Sequence, residues 1–240
     1  MALGSTLLRV YFDFIYNPVY DFTTGKLAAY RELHTRCIDK FRFNDGDKVL
    51  CVGVGTGNEI THILRRNSNI SIVGVDYSDN ALQKAFKKAL AFGKEIEAFN
   101  MDARGLKFAN ESFDKVLCLH VMDFIEDDRE ATNEVLRVLK SGGQFVITYP
   151  SDKESTKLGC NLLRYNIRHN LDSGKNRIRA FLETLIQIVV GSVYLPLLLR
   201  PNKKFYSRRQ LEAKITELTT RDFQIEEDAI YQDFIVHGRK

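Results

Sequence analysis

The chain has only four cysteines, Cys37, Cys51, Cys118 and Cys160, and no two of them form a CxxC pair. Zinc-ribbon and paired-thiol redox chemistry are thereby excluded. Cys51 and Cys118 lie inside apolar runs that read as buried strands. These thiols are expected to be core residues of a reduced, cytoplasmic protein without a metal site. An unbroken apolar stretch of about 20 residues, the length a spanning helix needs, is also missing. The longest candidate, Thr184 to Leu199, is interrupted by Gln187, Gly191 and Pro196. The opening MALGSTLLRVYFDFIY has no basic segment ahead of an apolar one, so no cleaved leader is expected and the N-terminus should be retained. Charge of one sign is scarce as well: 35 Lys and Arg face 31 Asp and Glu, and the net charge of +4 is dispersed. Nothing in that balance calls for nucleic acid as a partner.

What is present is a chain of 240 residues, 44% of them apolar, enough for one domain with an elaboration. Residues 27 to 41 carry Leu27, Tyr30, Leu33, Cys37 and Phe41 at helical spacing, ahead of the turn Asn44-Asp45-Gly46-Asp47. Strand and helix patterns then alternate. KVLCVGV (48–54) leads to a helix from about Asn58, SIVGVD (71–76) to a helix over 78–92, and EIEAFNM (95–101) to FDKVLCLHV (113–121). A helix over 127–140 and GQFVITY (143–149) complete the run, with Ser78 as a natural N-cap and Gly142 as a natural helix stop. Such alternation predicts a parallel sheet with helices on both faces. From Pro150 to Lys204 the alternation lapses for longer than a connection requires, which predicts an insertion with helices of its own. A helix over 207–218 and two closing strands meeting near Tyr231-Gln232 resume the pattern.

The residues with chemical meaning begin at Gly53-Val54-Gly55-Thr56-Gly57, between an apolar strand and a helix. Glycines there permit a tight turn and let a ligand reach main-chain N–H groups that a Cβ would block. Asp76 ends the next strand about 20 residues on, where a carboxylate can accept both hydroxyls of a ribose or, alternatively, cap the helix behind it. Asp102 follows the third strand and either reaches the same crevice or lies in a solvated turn.

From these residues the chain resembles the class I S-adenosylmethionine-dependent methyltransferases over roughly residues 45–150 and 205–240. VLCVGVGTG is similar to their first motif, GVDYS to their ribose-binding strand end, and MDA to the segment that holds the adenine amino group. SFDKVLCLHVMDFIED resembles their fourth strand and its loop, and EVLRVLKSGGQFVIT their LRVLKPGG signature. The resemblance implies an α/β, Rossmann-like sheet of seven strands with the last antiparallel, a helical entry segment over 1–44 and a helical insertion over 151–204. It also implies S-adenosylmethionine as cofactor, held by Gly53, Gly55, Gly57, Asp76, Tyr77, Asp102, Ala103, His120 and Tyr20. One position departs: Cys51 stands where the family has Asp or Glu, an acid that helps hold the methionyl amino group, and Glu59 is a substitute charge nearby.

YNPVYDFTTGKLAAYRE resembles the entry of quinone C-methyltransferases and of bacterial phospholipid N-methyltransferases, where this segment covers the cofactor. That resemblance implies a small hydrophobic or amphipathic acceptor: a quinone precursor, a lipid or an aromatic metabolite. The apolar stretch at 184–199 is bracketed by Arg177 and Arg179 on one side and Arg200, Lys203, Lys204, Arg208 and Arg209 on the other. It can dip into an anionic membrane surface, giving peripheral contact, or roof a greasy site as a buried cap. Methyl transfer to oxygen or carbon can need a base, and His120 and Asp123 follow the fourth strand. Tyr149 and His169 are candidate substrate contacts. The alternative is a non-catalytic protein of the same fold that binds a membrane or a protein partner through its insertion. Nucleic-acid methylation is disfavoured, since Thr148-Tyr149-Pro150-Ser151 does not replace an Asn/Asp-Pro-Pro-Tyr string.

Overall fold

The computed structural model describes residues 11–25, 27–152, 158–191, 204–218 and 222–240. A short π-helical turn, Phe12–Tyr16, runs into α1 (Asn17–Thr24), and α2 (Ala28–Ile38) leads to the sheet. β1 (Lys48–Val52), α3 (Asn58–Arg66), β2 (Ser71–Asp76), α4 (Asp79–Ala91) and β3 (Glu97–Asn100) follow in alternation. Then come β4 (Phe113–Cys118), α5 (Asp128–Val138), β5 (Leu139–Pro150), α6 (Leu158–Asp172), α7 (Arg177–Gly191), α8 (Arg208–Leu218), β6 (Asp222–Glu227) and β7 (Asp233–Arg239).

Seven strands pair in the order β3-β2-β1-β4-β5-β7-β6. β7 runs antiparallel to both β5 and β6, and the other pairings are parallel. Side chains alternate across the pleat. Val49 and Cys51 of β1 pack with Leu33 and Cys37 of α2, Ile60 and Ile63 of α3 and Ala85 of α4. Leu50 and Val52 pack on the opposite face, in the cluster with Val135 of α5 and Leu211 and Ile215 of α8. Both faces of the sheet are therefore covered, which is why its central strands read as nearly continuous apolar runs.

Local chemistry sets the helix starts. The Ser78 hydroxyl accepts the Ala81 N–H at 3.1 Å, and the Asp127 carboxylate accepts the Arg129 N–H at 3.2 Å. The expected stop at Gly142 is a correction: α5 ends at Val138, and Leu139 already pairs with Phe113. Gly142, at φ +77°, instead serves the shift of register by which β5 slips relative to β4.

The insertion is helical as expected and leans on the entry segment. Asn166 of α6 accepts the Ala28 N–H at 3.1 Å and so caps α2, while the Tyr165 hydroxyl donates to Glu32 at 2.5 Å. α7 packs on α6 and α1. Its outer side leaves Ile178, Phe181, Leu182, Leu185 and Ile186 exposed in one helical stripe. The apolar run continues beyond Gly191, and residues 192–199 lie outside the described residues. No helix among the described residues is long and apolar enough to cross a membrane.

Candidate functional site

The strand order reverses between β1 and β4, and ligands of open α/β sheets bind outside the carboxyl ends of strands at such a point. The 53–57 loop leaves β1 there. Its glycines all have positive φ, +67°, +51° and +80°, but they do different work. A Cβ on Gly53 would meet Val121 Cγ2 at 2.1 Å, and one on Gly57 would meet the Ala85 backbone at 2.7 Å. Those two allow close packing. A Cβ on Gly55 would find nothing nearer than the Gly53 carbonyl oxygen at 3.9 Å, so Gly55 is the one that faces open space. That is the cradle a ligand's main-chain approach requires.

Asp76 sits beside it. One carboxylate oxygen accepts the Gly55 N–H and the other the Ser78 N–H, each at 2.9 Å. Burial pushes this carboxyl up, and the backbone N–H groups oppose the shift. Tyr77 is exposed at the rim, its carbonyl accepting from Asn100 at 3.2 Å. Asp102 faces the same edge but is engaged by Arg104 at 2.6 Å, which holds its carboxyl below the usual range. Ala103 packs against the core under that edge.

The entry segment closes the crevice from above. Asp13 accepts from the Ser78 hydroxyl, and Asn17 donates to the same hydroxyl at 3.0 Å. Asp21 accepts from Thr56 at 2.5 Å and from Lys88 at 2.7 Å, and Lys88 also donates to Asn58 at 2.6 Å. Beneath this clasp a cavity of about 30 Å³ remains, bordered by Tyr20, Tyr30, His34, the Gly53–Thr56 loop, Glu59 and His120. A water needs about 10 to 15 Å³ and small-molecule sites span about 300 to 1,000 Å³.

His120 stands at left-handed φ, +55°, which ends β4 at Cys118, short of the expected Val121. Strain of this kind concentrates at functional sites. Its N–H donates to the Thr148 hydroxyl at 2.8 Å, and its ring Nδ1 lies 3.1 Å from the Asp233 carboxylate. The ring lies near-parallel to Tyr30 at 5.8 Å and to His34 at 5.6 Å. His34 is buried beside it with neither ring nitrogen hydrogen-bonded among the described residues, and burial lowers its pKa, with His120 adding to the effect.

Of the residues singled out in the sequence, Tyr20, Gly53, Gly55 and His120 meet at this cavity, with Asp76 bonded to its loop. Tyr149 is a correction. β5 alternates so that Thr148 faces the site while Tyr149 is fully buried on the other side, bonded to Thr132 at 2.7 Å and packed edge-on to Tyr206. His169 is a second correction: it sits on α6, with Nδ1 3.6 Å from Glu32, away from the cavity lining. Asp123 lies in the turn closed by the Phe124 N–H on the Val121 carbonyl and is likewise not a lining residue. Sequence reasoning missed Asp233, Tyr30, His34 and the Asp21–Lys88 clasp. Only the YD string around Tyr20 signalled any of them.

This architecture, a 3-2-1-4-5-7-6 sheet with a glycine loop and a strand-end acid at the switch point, is the class I S-adenosylmethionine-dependent methyltransferase fold. Residues 50–147 match the family described as "Methyltransferase domain", and S-adenosylmethionine is the cofactor that this domain and fold take. It is 33% identical over 131 residues to phosphatidylethanolamine N-methyltransferase of Cereibacter sphaeroides, covering 54% of this chain and 62% of the relative. It is 30% identical over 138 residues to the ubiquinone/menaquinone biosynthesis C-methyltransferase UbiE of Geobacter sulfurreducens, covering 54% and 53%. The matches thus span little more than half the length of these curated relatives. Among solved structures, a SAM-dependent methyltransferase from Thermotoga maritima superposes with a TM-score of 0.57 at 18% identity, over 94% of this chain and 98% of that one.

Proposed function

We propose that the protein transfers a methyl group from S-adenosylmethionine to a small hydrophobic or amphipathic acceptor, a quinone precursor, lipid or aromatic metabolite. The observation that carries this is one cavity lined by Gly55 and His120 under Tyr20 and Tyr30, with Asp76 bonded to the Gly55 N–H and Asp233 against the His120 ring. The names of the related phospholipid and quinone methyltransferases support the acceptor class. Nothing in the site favours the non-catalytic alternative.

The residues fit the cofactor: open space lies where a Gly55 Cβ would stand, and the Asp76 carboxylate, which holds the Gly55 N–H, is positioned beside it for ribose hydroxyls. Bound there, the cofactor supplies a methyl group on a positively charged sulfur, whose charge disappears as the new bond forms. The chain's part is to align the acceptor and exclude water. With Nδ1 3.1 Å from the Asp233 carboxylate, His120 is placed to act as the base for an acceptor hydroxyl or carbon acid. Cofactor entry requires the 11–25 segment to part from Ser78, Thr56 and Lys88, because about 30 Å³ holds only about two or three waters.

Calorimetry with S-adenosylmethionine, followed by methyl transfer to pools of quinone, phospholipid and aromatic acceptors, tests the reading. Binding with turnover of one pool is the expected result. Binding without turnover of any acceptor would return the non-catalytic alternative, and no binding would overturn both.

The same reading places the outer stripe of α7 on an anionic membrane surface, where such an acceptor resides. Each buried Phe or Leu contributes about 1.5 to 3 kcal/mol, against about 1 kcal/mol for a Lys or Arg near anionic lipid. Added salt should therefore weaken vesicle binding without abolishing it. Phe181→Asp with Leu185→Asp should remove co-sedimentation with anionic vesicles and leave cofactor affinity unchanged. Absence of wild-type sedimentation would rule docking out and leave the stripe as part of a cap.

A further inference from the structure

Glu59 is an acid in an unusual position. It lies in the first turn of α3, is only 8% exposed, and borders the cavity beside the glycine loop. Among the described lining residues it is the single acidic side chain. No Lys, Arg or His among the described residues forms an ion pair with it. Lys88, whose charge reaches it, is committed to Asp21, Thr56 and Asn58. Cys51, 1% exposed, offers only a neutral thiol, which burial and the Glu59 charge push up. A carboxyl taken out of water without a cation is costly, and in a cleft that cost is recovered when a cationic ligand arrives.

We infer that Glu59 receives the α-ammonium group of the cofactor's methionyl portion, doing from the first turn of α3 what an acid at position 51 would do from β1. The inference rests on the cofactor assignment and is independent of which acceptor is methylated. Asp76, with one oxygen on Gly55 and the other on Ser78, stays with the ribose side of the loop.

This placement couples cofactor binding to a proton. The charged and titratable groups that face Glu59 are Lys88 of α4, Asp76 of β2 and His120 after β4, Tyr20 of α1 and Tyr30 and His34 of α2 line the same cavity, and Cys51 of β1 and Cys118 of β4 feel its charge. Burial pushes the carboxyl up to about 8, against its own backbone N–H, Lys88 and His120, and with Asp76 reinforcing the rise. At pH 6.5 the free protein therefore carries Glu59 protonated, and pairing with an ammonium expels that proton. Affinity should rise as pH rises, by up to about tenfold per unit, until about pH 8. There the ligand's α-amino group, with a pKa of about 7.7 to 8.0, begins to lose its own charge.

The test is calorimetry at pH 6.5 in two buffers of different ionisation enthalpy, with S-adenosylmethionine and with 5′-methylthioadenosine, which lacks the amino acid portion. The wild type should release about one proton per S-adenosylmethionine and almost none with methylthioadenosine. Glu59→Gln should abolish the release and weaken S-adenosylmethionine about tenfold at pH 8, with methylthioadenosine unchanged. Glu59→Asp should keep the proton release. Wild-type affinity and proton release in Glu59→Gln would overturn the inference. Equal losses for both ligands would also overturn it, by making Glu59 a support for the loop. Failure of the wild type to bind S-adenosylmethionine at all would instead remove the cofactor assignment beneath it.

Discussion

Gly57→Val is expected to lower the melting temperature by about 4 to 20 °C, whereas Gly55→Val should stay folded with a loss of only about 2 to 8 °C and lose cofactor binding. Gly57 has φ +80°, and a Cβ there meets the Ala85 Cα at 2.7 Å and Cβ at 2.9 Å. Left-handed strain of about 1 to 2 kcal/mol adds to an overpacking cost of about 1 to 3 kcal/mol. For a chain of this length each kcal/mol is worth about 2 to 4 °C. The two nearest atoms belong to the α4 backbone and its first side-chain carbon, so no flexible tip can give way. Gly55, at φ +51°, carries the same strain without the clash, and its added branches would fill the space where the ligand must approach the loop. Thermal unfolding by circular dichroism and calorimetry with S-adenosylmethionine separate the two effects. A Gly55→Val protein that binds at wild-type strength would show that the loop does not cradle the cofactor.

Asp76→Ala should weaken cofactor binding by about 5- to 150-fold, the equivalent of about 1 to 3 kcal/mol. The substitution removes the acceptor for the ribose hydroxyls and also frees the Gly55 and Ser78 N–H groups that shape the loop. Asp76→Asn keeps one carbonyl acceptor for one of those N–H groups, so its loss should be smaller. Because the ribose is common to S-adenosylmethionine and methylthioadenosine, Asp76→Ala should weaken both. Glu59→Gln should weaken only the first. Unchanged affinity of folded Asp76→Ala for both ligands would dissociate the strand-end acid from the ribose.

The glycine loop and Asp76 were legible because each depends on neighbours in the chain. A turn that needs positive φ declares itself as glycine, and a strand-end acid is located by the apolar run before it. The errors came from parity and from distance. Tyr149 and Thr148 are adjacent, and only the register of β5 against β4 decides that Thr148 faces His120 and Tyr149 the core. His169 has the chemistry of a contact residue, but α6 carries it to the outer side of α2 beside Glu32.

By itself the sequence determined the alternation of strands and helices, the helical insertion and the glycine loop, since periodicity, glycine placement and capping are local properties of the chain. The tertiary structure alone decided how the site is completed. Antiparallel pairing of β7 with β5 brings Asp233 to His120, and the packing of α2 over the same point brings Tyr30 and His34 beside it. Glu59 was visible as a residue, but its buried position at the cavity, without an ion pair among the described residues, was not. Burial and long-range pairing are set by how the elements pack, and a site made of their meeting points exists only once they have met.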